Sequence, residues 1–279
     1  MEAPRAQRLD DRLHLSHGPI DLIIGADGAR EAAFAAAWDR FQTVLTELVS
    51  ELPLLRRAVG DAPHGPTARR MVAACLPHRP AFVTPMAAVA GAVADEILTA
   101  MRKVPLTRAY VNNGGDIALC LTQGTRFKLA IAAPDGAPLG LVEIAHADGA
   151  RGVATSGLGG RSFSLGIADA VTVLAPTAAM ADVAATLIAN AVDLPGHPAI
   201  RRAPAHDLQP DSDLGARLVT TCRGALLPSD AALALDRGAA LAESLIARGL
   251  ALSAALFLDG QNRLVGHTHP LILRSPAHA

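Results

Sequence analysis

Aromatic side chains are scarce in this chain: one tryptophan, one tyrosine and six phenylalanines make up 3% of 279 residues. Since 51% of the residues are nonetheless hydrophobic, a sizeable core has to be filled by alanine, leucine, valine and isoleucine. The alanine-rich runs point to helices packed closely on a sheet, and such small residues also suit a subunit interface, which leaves room for a homo-oligomer. Cysteine is nearly absent. Cys75, Cys120 and Cys222 are odd in number, far apart and in apolar contexts, which argues against disulfides or a zinc site and for small buried thiols in a reducing compartment. Neither charge is in excess, with 25 basic and 26 acidic side chains. No segment gathers lysine or arginine as a nucleic-acid groove would, so nucleic acid is not an expected partner. No run of about 18 uncharged apolar residues occurs, and the first residues, MEAPRAQRLDDRLHL, lack the apolar stretch of a secretion signal. The expectation is a cytoplasmic protein with no membrane partner.

The apolar periodicity predicts an α/β protein. Leu13 to Ile24 reads as a hairpin around His17-Gly18-Pro19, and Arg30 to Arg57 as a helix with Phe34, Trp38, Phe41, Leu45 and Leu48 on one face. Helices are expected at Thr67–Cys75 and Pro85–Met101. Short apolar runs at Ala109–Val111, Ile117–Leu121, Phe127–Ala132 and Leu139–Ile144 read as strands, with a loop between Val111 and Ile117. A strand at Ala170–Ala175 and a helix at Thr177–Val192 lead into a proline-rich connector from Leu194 to Pro210. The tail predicts a strand at Arg217–Cys222, a helix at Ser229–Ala247 and a hairpin around Asp259-Gly260.

Three runs carry the chemistry. In ADVAAT, Asp182 and Thr186 stand four residues apart with Asn190 four further on, one polar face on an apolar helix. A carboxylate one turn from a hydroxyl, completed by backbone carbonyls and ligand phosphates, is an all-oxygen sphere suited to Mg²⁺; the structural alternative is an aspartate at a positive helix end and a hydroxyl bonded back to its own helix. In ATSGLGGRS, Gly157, Gly159 and Gly160 free the backbone to turn N–H groups toward an anion, Arg161 adds a bidentate phosphate partner, and Thr155, Ser156 and Ser162 add hydroxyl donors. A plain turn is the alternative. In VNNGGD, Asn112, Asn113, Gly114, Gly115 and Asp116 offer hydrogen-bonding groups and space for a planar ring or a ribose, with a tight turn as the structural alternative. Upstream, Gly91 and Asp95 lie one turn apart, and Asp95 needs a partner if buried.

In this order the runs resemble the FAD:protein FMN transferase superfamily, the ApbE-like proteins. There a glycine followed four residues later by aspartate, a GGD turn, a TSG turn and ADxxxT frame the flavin and its Mg²⁺. Here they read Gly91 and Asp95, Gly114-Gly115-Asp116, Thr155-Ser156-Gly157, and Asp182 with Thr186, spanning about 87–190. The chain is more similar still to a shorter branch of the superfamily marked by TPMAAVAGAVADEI, VNNGGDIAL, GRSFSLGIADAVTVLA and PDSDLG. The resemblance implies a T-fold-type α/β domain, a mixed sheet with alanine-rich helices packed on it, carrying 194–279 as a C-terminal extension. Two departures bear on mechanism. The family's HxxDP-type segment here runs from Gly166 to Ala170, keeping Asp169 and losing the histidine, and the usual lysine before the Gly91 position is Ala90.

Together with those readings, the resemblance implies a flavin-nucleotide protein, with FAD as ligand or substrate and Mg²⁺ between the diphosphate and Asp182 and Thr186. Asn112 to Asp116 would meet the ring or ribose, and Thr155, Ser156, Gly157, Gly160, Arg161 and Ser162 the phosphates. Asp169 is the candidate base for attack on the diphosphate with release of AMP, with FMN passing to an acceptor protein or to water; His146 is another candidate for that role. A non-catalytic flavin-binding module, or an enzyme taking another phosphorylated or acidic small molecule, are the competing readings. Asp207, Asp211 and Asp213 read as a turn or helix cap before they read as a metal site, and His267 and His269, like His14 and His17, show no third ligand nearby.

Overall fold

A computed structural model describes residues 2–132, 138–266 and 272–273; His267 and His269 lie outside them. In chain order the elements are β1 (Arg5–Leu9), β2 (Arg12–His17), β3 (Ile20–Gly28), α1 (Arg30–Ser50), α2 (Leu52–Leu55), α3 (Pro66–Cys75), α4 (Val89–Met101), β4 (Leu106–Asn113) and β5 (Asp116–Leu121). These are followed by β6 (Arg126–Ala132), β7 (Pro138–Ala145), β8 (Gly152–Ser156), β9 (Ala170–Ala175), α5 (Ala178–Ala191), β10 (Ile200–Pro204) and α6 (Ala205–Leu208). The chain then runs through β11 (Leu218–Arg223), α7 (Pro228–Ala247), β12 (Ser253–Leu258), β13 (Gln261–Gly266) and β14 (Ile272–Leu273). The expected mixed α/β architecture is present, with antiparallel pairing in every register below.

Two compact units interleave along the chain. The first takes the described residues up to Arg126, Ala145–Ala154 and Ala175–Val183. Its strands run β1-β2-β3-β4-β5, with the start of β8 beside β5 through Ile117 opposite Val153. Alternation puts Leu13 and Leu15 of β2, Leu22 and Ile24 of β3 and Ala109 and Val111 of β4 on one face, all buried. α1 buries Phe34, Phe41, Val44, Leu45 and Leu48, and α4 buries Ala92, Val93, Ile97 and Met101, so the core is mostly aliphatic, with methionine and phenylalanine beside it. A helix expected to Arg57 is divided at Glu51, with Pro53 in the first turn of α2, where its missing N–H costs no hydrogen bond. Glu96 is buried on α4 and satisfied by Arg40 Nε and Arg70 Nε, each at 2.8 Å. Burial raises its pKa, but those hydrogen bonds outweigh burial and hold it below the usual glutamate value.

The second unit takes the described residues of Phe127–Ile144, Thr155–Leu174 and the chain from Ala184. β9, β12 and β13 lie side by side, with Val171 opposite Leu256 and Leu256 opposite Arg263. β10 and β11 form a two-stranded ribbon, and β14, β7 and β6 a three-stranded sheet. Ile131, Ala170, Ala255 and Phe257 pack together with Leu139 against them. The expected connector at 194–210 proves to contain β10 and α6.

All three cysteines are free, with Cys75 buried and Cys120 and Cys222 half-buried. Among the described residues no helix is long and apolar enough to cross a membrane.

Candidate functional site

The polar break expected between Val111 and Ile117 is a two-residue hairpin: β4 continues through Asn113, β5 begins at Asp116, and the two residues pair across the ladder. Gly114 and Gly115, at φ 64° and 111°, supply the left-handed backbone that this turn needs and side chains resist. Strand alternation splits the five-residue run. Asn113 is buried on the helix-facing side and donates its Nδ2 to the Ala90 carbonyl at 3.1 Å, whereas Asn112 accepts the Gly115 N–H at 2.8 Å, a side-chain turn that stiffens the hairpin.

Asp116, on the same face as Asn113, lies near Asp182, and α4 and α5 explain why so many carboxylates gather there. Asp182 on α5 accepts the N–H of Gly91 at 3.0 Å and a second hydrogen bond from Ala90, the third and second residues of α4. Asp95 on α4 accepts the N–H groups of Ala178 and Ala179, the first two residues of α5, at 3.1 and 2.9 Å. Each helix thus caps the positive end of the other, which gives Asp95 the partner its burial demands. The contact is close: a Cβ on Gly91 would stand 2.2 Å from the Ala178 carbonyl oxygen.

Protonation follows from this crowding. Burial, then the Asp116 carboxylate, push the Asp182 pKa well above the ordinary aspartate range, against the N–H groups that favour its charge. Asp95 is pushed up to about 6 by burial, opposed by the amides of Ala179 and Ala178. A group with a raised folded pKa favours the folded state once it is protonated, so Asp95 adds stability as pH falls from about 6 towards 3.8 and nothing beyond that window. At 1.36 kcal/mol per unit the gain is on the order of 3 kcal/mol. Unfolding titrations of the native protein and Asp95→Asn should therefore diverge by about 2–3 kcal/mol between pH 7 and 4, the native protein gaining. A pH-independent difference would contradict the burial of this carboxylate.

In the second unit, Thr155 and Ser156 belong to the end of β8 and not to a loop, and Thr155 Oγ1 lies 2.8 Å from Thr172 Oγ1 on β9. Beyond them Gly157 is buried, a turn is closed by the Gly160 N–H on the Gly157 carbonyl at 3.2 Å, and Gly159, Gly160, Arg161 and Ser162 are exposed. Asp169 is occupied: Oδ1 accepts Arg223 Nη2 at 2.8 Å and Oδ2 accepts the Asp259 N–H at 2.6 Å. Arg223 is a residue that sequence reading missed, since it stands 54 positions from its partner outside every motif. Thr186 is half-buried on α5, and Asn190 on that helix accepts the Leu165 N–H at 2.9 Å.

The other candidates have local partners. His14 meets Asp21 at 3.0 Å, His17 packs edge-on to Phe41, Asp207 meets His206 at 3.1 Å and Asp211 accepts Gln209 Nε2 at 3.1 Å. Among the described residues no three His, Cys, Asp or Glu side chains form a group able to hold a metal ion. A cation sphere built on Asp182 would take its remaining ligands from hydroxyl, carbonyl and ligand oxygen atoms.

A family model described as AbpE bacteria matches residues 4–264. The chain belongs to this ApbE-like family. Among relatives of this family member, a UPF0280 protein of Methanopyrus kandleri is 43% identical over 112 residues, covering 40% of this chain and 44% of the relative. A UPF0280 protein of Methanothrix thermoacetophila is 37% identical over 160 residues, covering 54% and 65%. The match thus spans less than two thirds of either relative's length. Of solved structures, the apo flavinyl transferase ApbE of Pseudomonas stutzeri is similar with a TM-score of 0.44 and 13% identity, over 95% of this chain and 94% of that one.

Proposed function

We propose that the chain is a Mg²⁺-dependent FAD-binding protein of the FMN transferase type, which cleaves the FAD diphosphate and releases AMP. The observation that carries this reading is the Asp182 carboxylate, desolvated, beside Asp116 and oriented by two helix N–H groups. Such a group is unfavourable as a bare anion, and a divalent cation with oxygen ligands would relieve it. Asp182 and Thr186, four apart on α5, would hold the ion with backbone carbonyls and phosphate oxygens. Bound there, Mg²⁺ supplies charge neutralisation at the diphosphate. Gly157, Gly160, Arg161 and Ser162, with Thr155 and Ser156 before them, would bind phosphate through N–H, hydroxyl and guanidinium donors; among the described residues Arg161 is exposed without an intramolecular partner. The hairpin from Asn112 to Asp116 would meet the ring or ribose. Transfer goes to an acceptor protein or to water.

The competing reading, a binding module without catalysis, is favoured by two features: both Asp169 oxygens are already hydrogen-bonded, and the family histidine is replaced in the segment from Gly166. Purified protein is to be examined for flavin absorbance, then incubated with FAD and Mg²⁺ and assayed for AMP. Mg²⁺-dependent AMP release supports the transferase-type reading. Tight FAD binding without AMP selects the module, and a colourless protein with no FAD affinity rejects both.

A further inference from the structure

We infer that Arg223 is a positioning residue that fixes the Gly157–Ser162 turn through Asp169, an ion-paired hub and not a proton acceptor. The functional part of this inference rests on the proposed phosphate role of that turn.

Asp169 is held through its N–H and both carboxylate oxygens. Its N–H donates to the Phe257 carbonyl at 2.9 Å, and its carboxylate takes Arg223 on one oxygen and the Asp259 N–H on the other. Its carbonyl oxygen lies against the turn, 2.5 Å from where a Gly157 Cβ would sit, and the neighbouring Ala168 carbonyl accepts the Leu158 N–H at 2.8 Å. Residues 157 and 158 thus rest directly on residues 168 and 169, so a shift of Asp169 displaces the base of the turn. The exposed tip, with Arg161, projects from that base.

Arg223 supplies the charge that makes the hub rigid. Its side chain is 16% exposed, Nη2 grips Asp169, and Nη1 lies 3.4 Å from Asp259 Oδ1. Among the described residues Nε is buried with no hydrogen-bond partner, so the guanidinium's ion pairs there run to these two aspartates. Each Asp169 carboxylate oxygen already accepts an N–H donor, one from the Arg223 guanidinium and one from the Asp259 backbone. Ion-pair geometry of this kind suits a fixed anchor better than a group that must gain and lose a proton.

The full-length protein, Arg223→Gln, Arg223→Lys and Asp169→Asn are to be compared by amide hydrogen exchange and by FAD titration with AMP assay. In Arg223→Gln the Leu158 and Asp259 amides are expected to exchange about tenfold faster while core strands keep their protection. The Kd for FAD should rise about tenfold with little change in the turnover of bound FAD. Arg223→Lys, which keeps the charge, should recover part of both effects and guards against a variant that merely fails to fold. Asp169→Asn should match Arg223→Gln and leave the pH profile in place. Unchanged protection in Arg223→Gln, or an Asp169→Asn protein that binds FAD normally and releases no AMP, would overturn the inference. If the native protein binds no FAD, the proposed function fails, and exchange at Leu158 and Asp259 still decides the structural role of Arg223.

Discussion

The Asp182→Asn protein is expected to lose all response to Mg²⁺ while keeping its fold. Asparagine retains an oxygen that can accept the Gly91 N–H, and asparagine and aspartate are equally good at helix starts, so the cap on α4 survives at a cost within about 1 kcal/mol. What disappears is the charge. Without metal the native Asp182 is opposed by burial and by Asp116, so the variant should melt at the same temperature as the metal-free native protein or higher. Adding Mg²⁺ and FAD should then stabilise the native protein and not the variant, in proportion to the ligand's affinity. If the ion contributes the several kcal/mol usual for charge neutralisation at a phosphoryl centre, AMP release should fall by on the order of 10²- to 10³-fold. Asp182→Ala separates the two roles, since it removes the cap as well and should cost about 1–2 kcal/mol more in stability. Equal Mg²⁺ dependence in native and Asp182→Asn titrations would sink the metal assignment and leave Asp182 as a helix cap alone.

Elements with a strong apolar pattern could be read from the sequence because local burial creates that pattern. β9 is buried at all six positions and appears as an apolar run interrupted by Thr172 alone, and α1 shows its core face at helical spacing. β1 and β10 could not be read that way. Arg5 to Leu9 is exposed almost throughout and owes its extended form to pairing with β2 and to Arg8, which reaches Glu31 at 2.7 Å and lies over the Phe34 ring. β10 exists through its ladder with β11, a contact between segments that carry no mutual signal. The site divides in the same way. The motif residues were legible one by one, and an aspartate in an apolar helix announced its need for a partner. The partner of Asp95 was a pair of backbone amides 83 and 84 residues away, and amides look alike in any sequence. Arg223 is a side chain without a motif, and its meaning depends wholly on the ribbon that delivers it to Asp169.

Gly91→Ala should be among the most destabilising single changes in this chain, although alanine is the better helix former by about 1 kcal/mol. The added methyl would meet three backbone atoms of α5 at 2.2, 2.4 and 2.7 Å, none of which can rotate aside. Restoring ordinary contact requires α5 to retreat by roughly 1 Å, because nonbonded carbon approaches a neighbour to about 3.5 Å at best. That retreat stretches the hydrogen bonds by which Asp95 holds Ala178 and Ala179 and Asp182 holds Gly91. Overpacking of this kind costs about 1–3 kcal/mol, and each weakened bond to a carboxylate about 1 kcal/mol or more. The net expectation, after the propensity gain, is a loss of about 3 kcal/mol or more in denaturant unfolding, a large share of the stability of an ordinary domain. Both carboxylates would be displaced with the helices, so any Mg²⁺-dependent FAD binding should weaken even where the variant remains folded. A Gly91→Ala protein as stable as the native one would show that the two helices do not cross at this distance, and the reciprocal capping built on that crossing would fall with it.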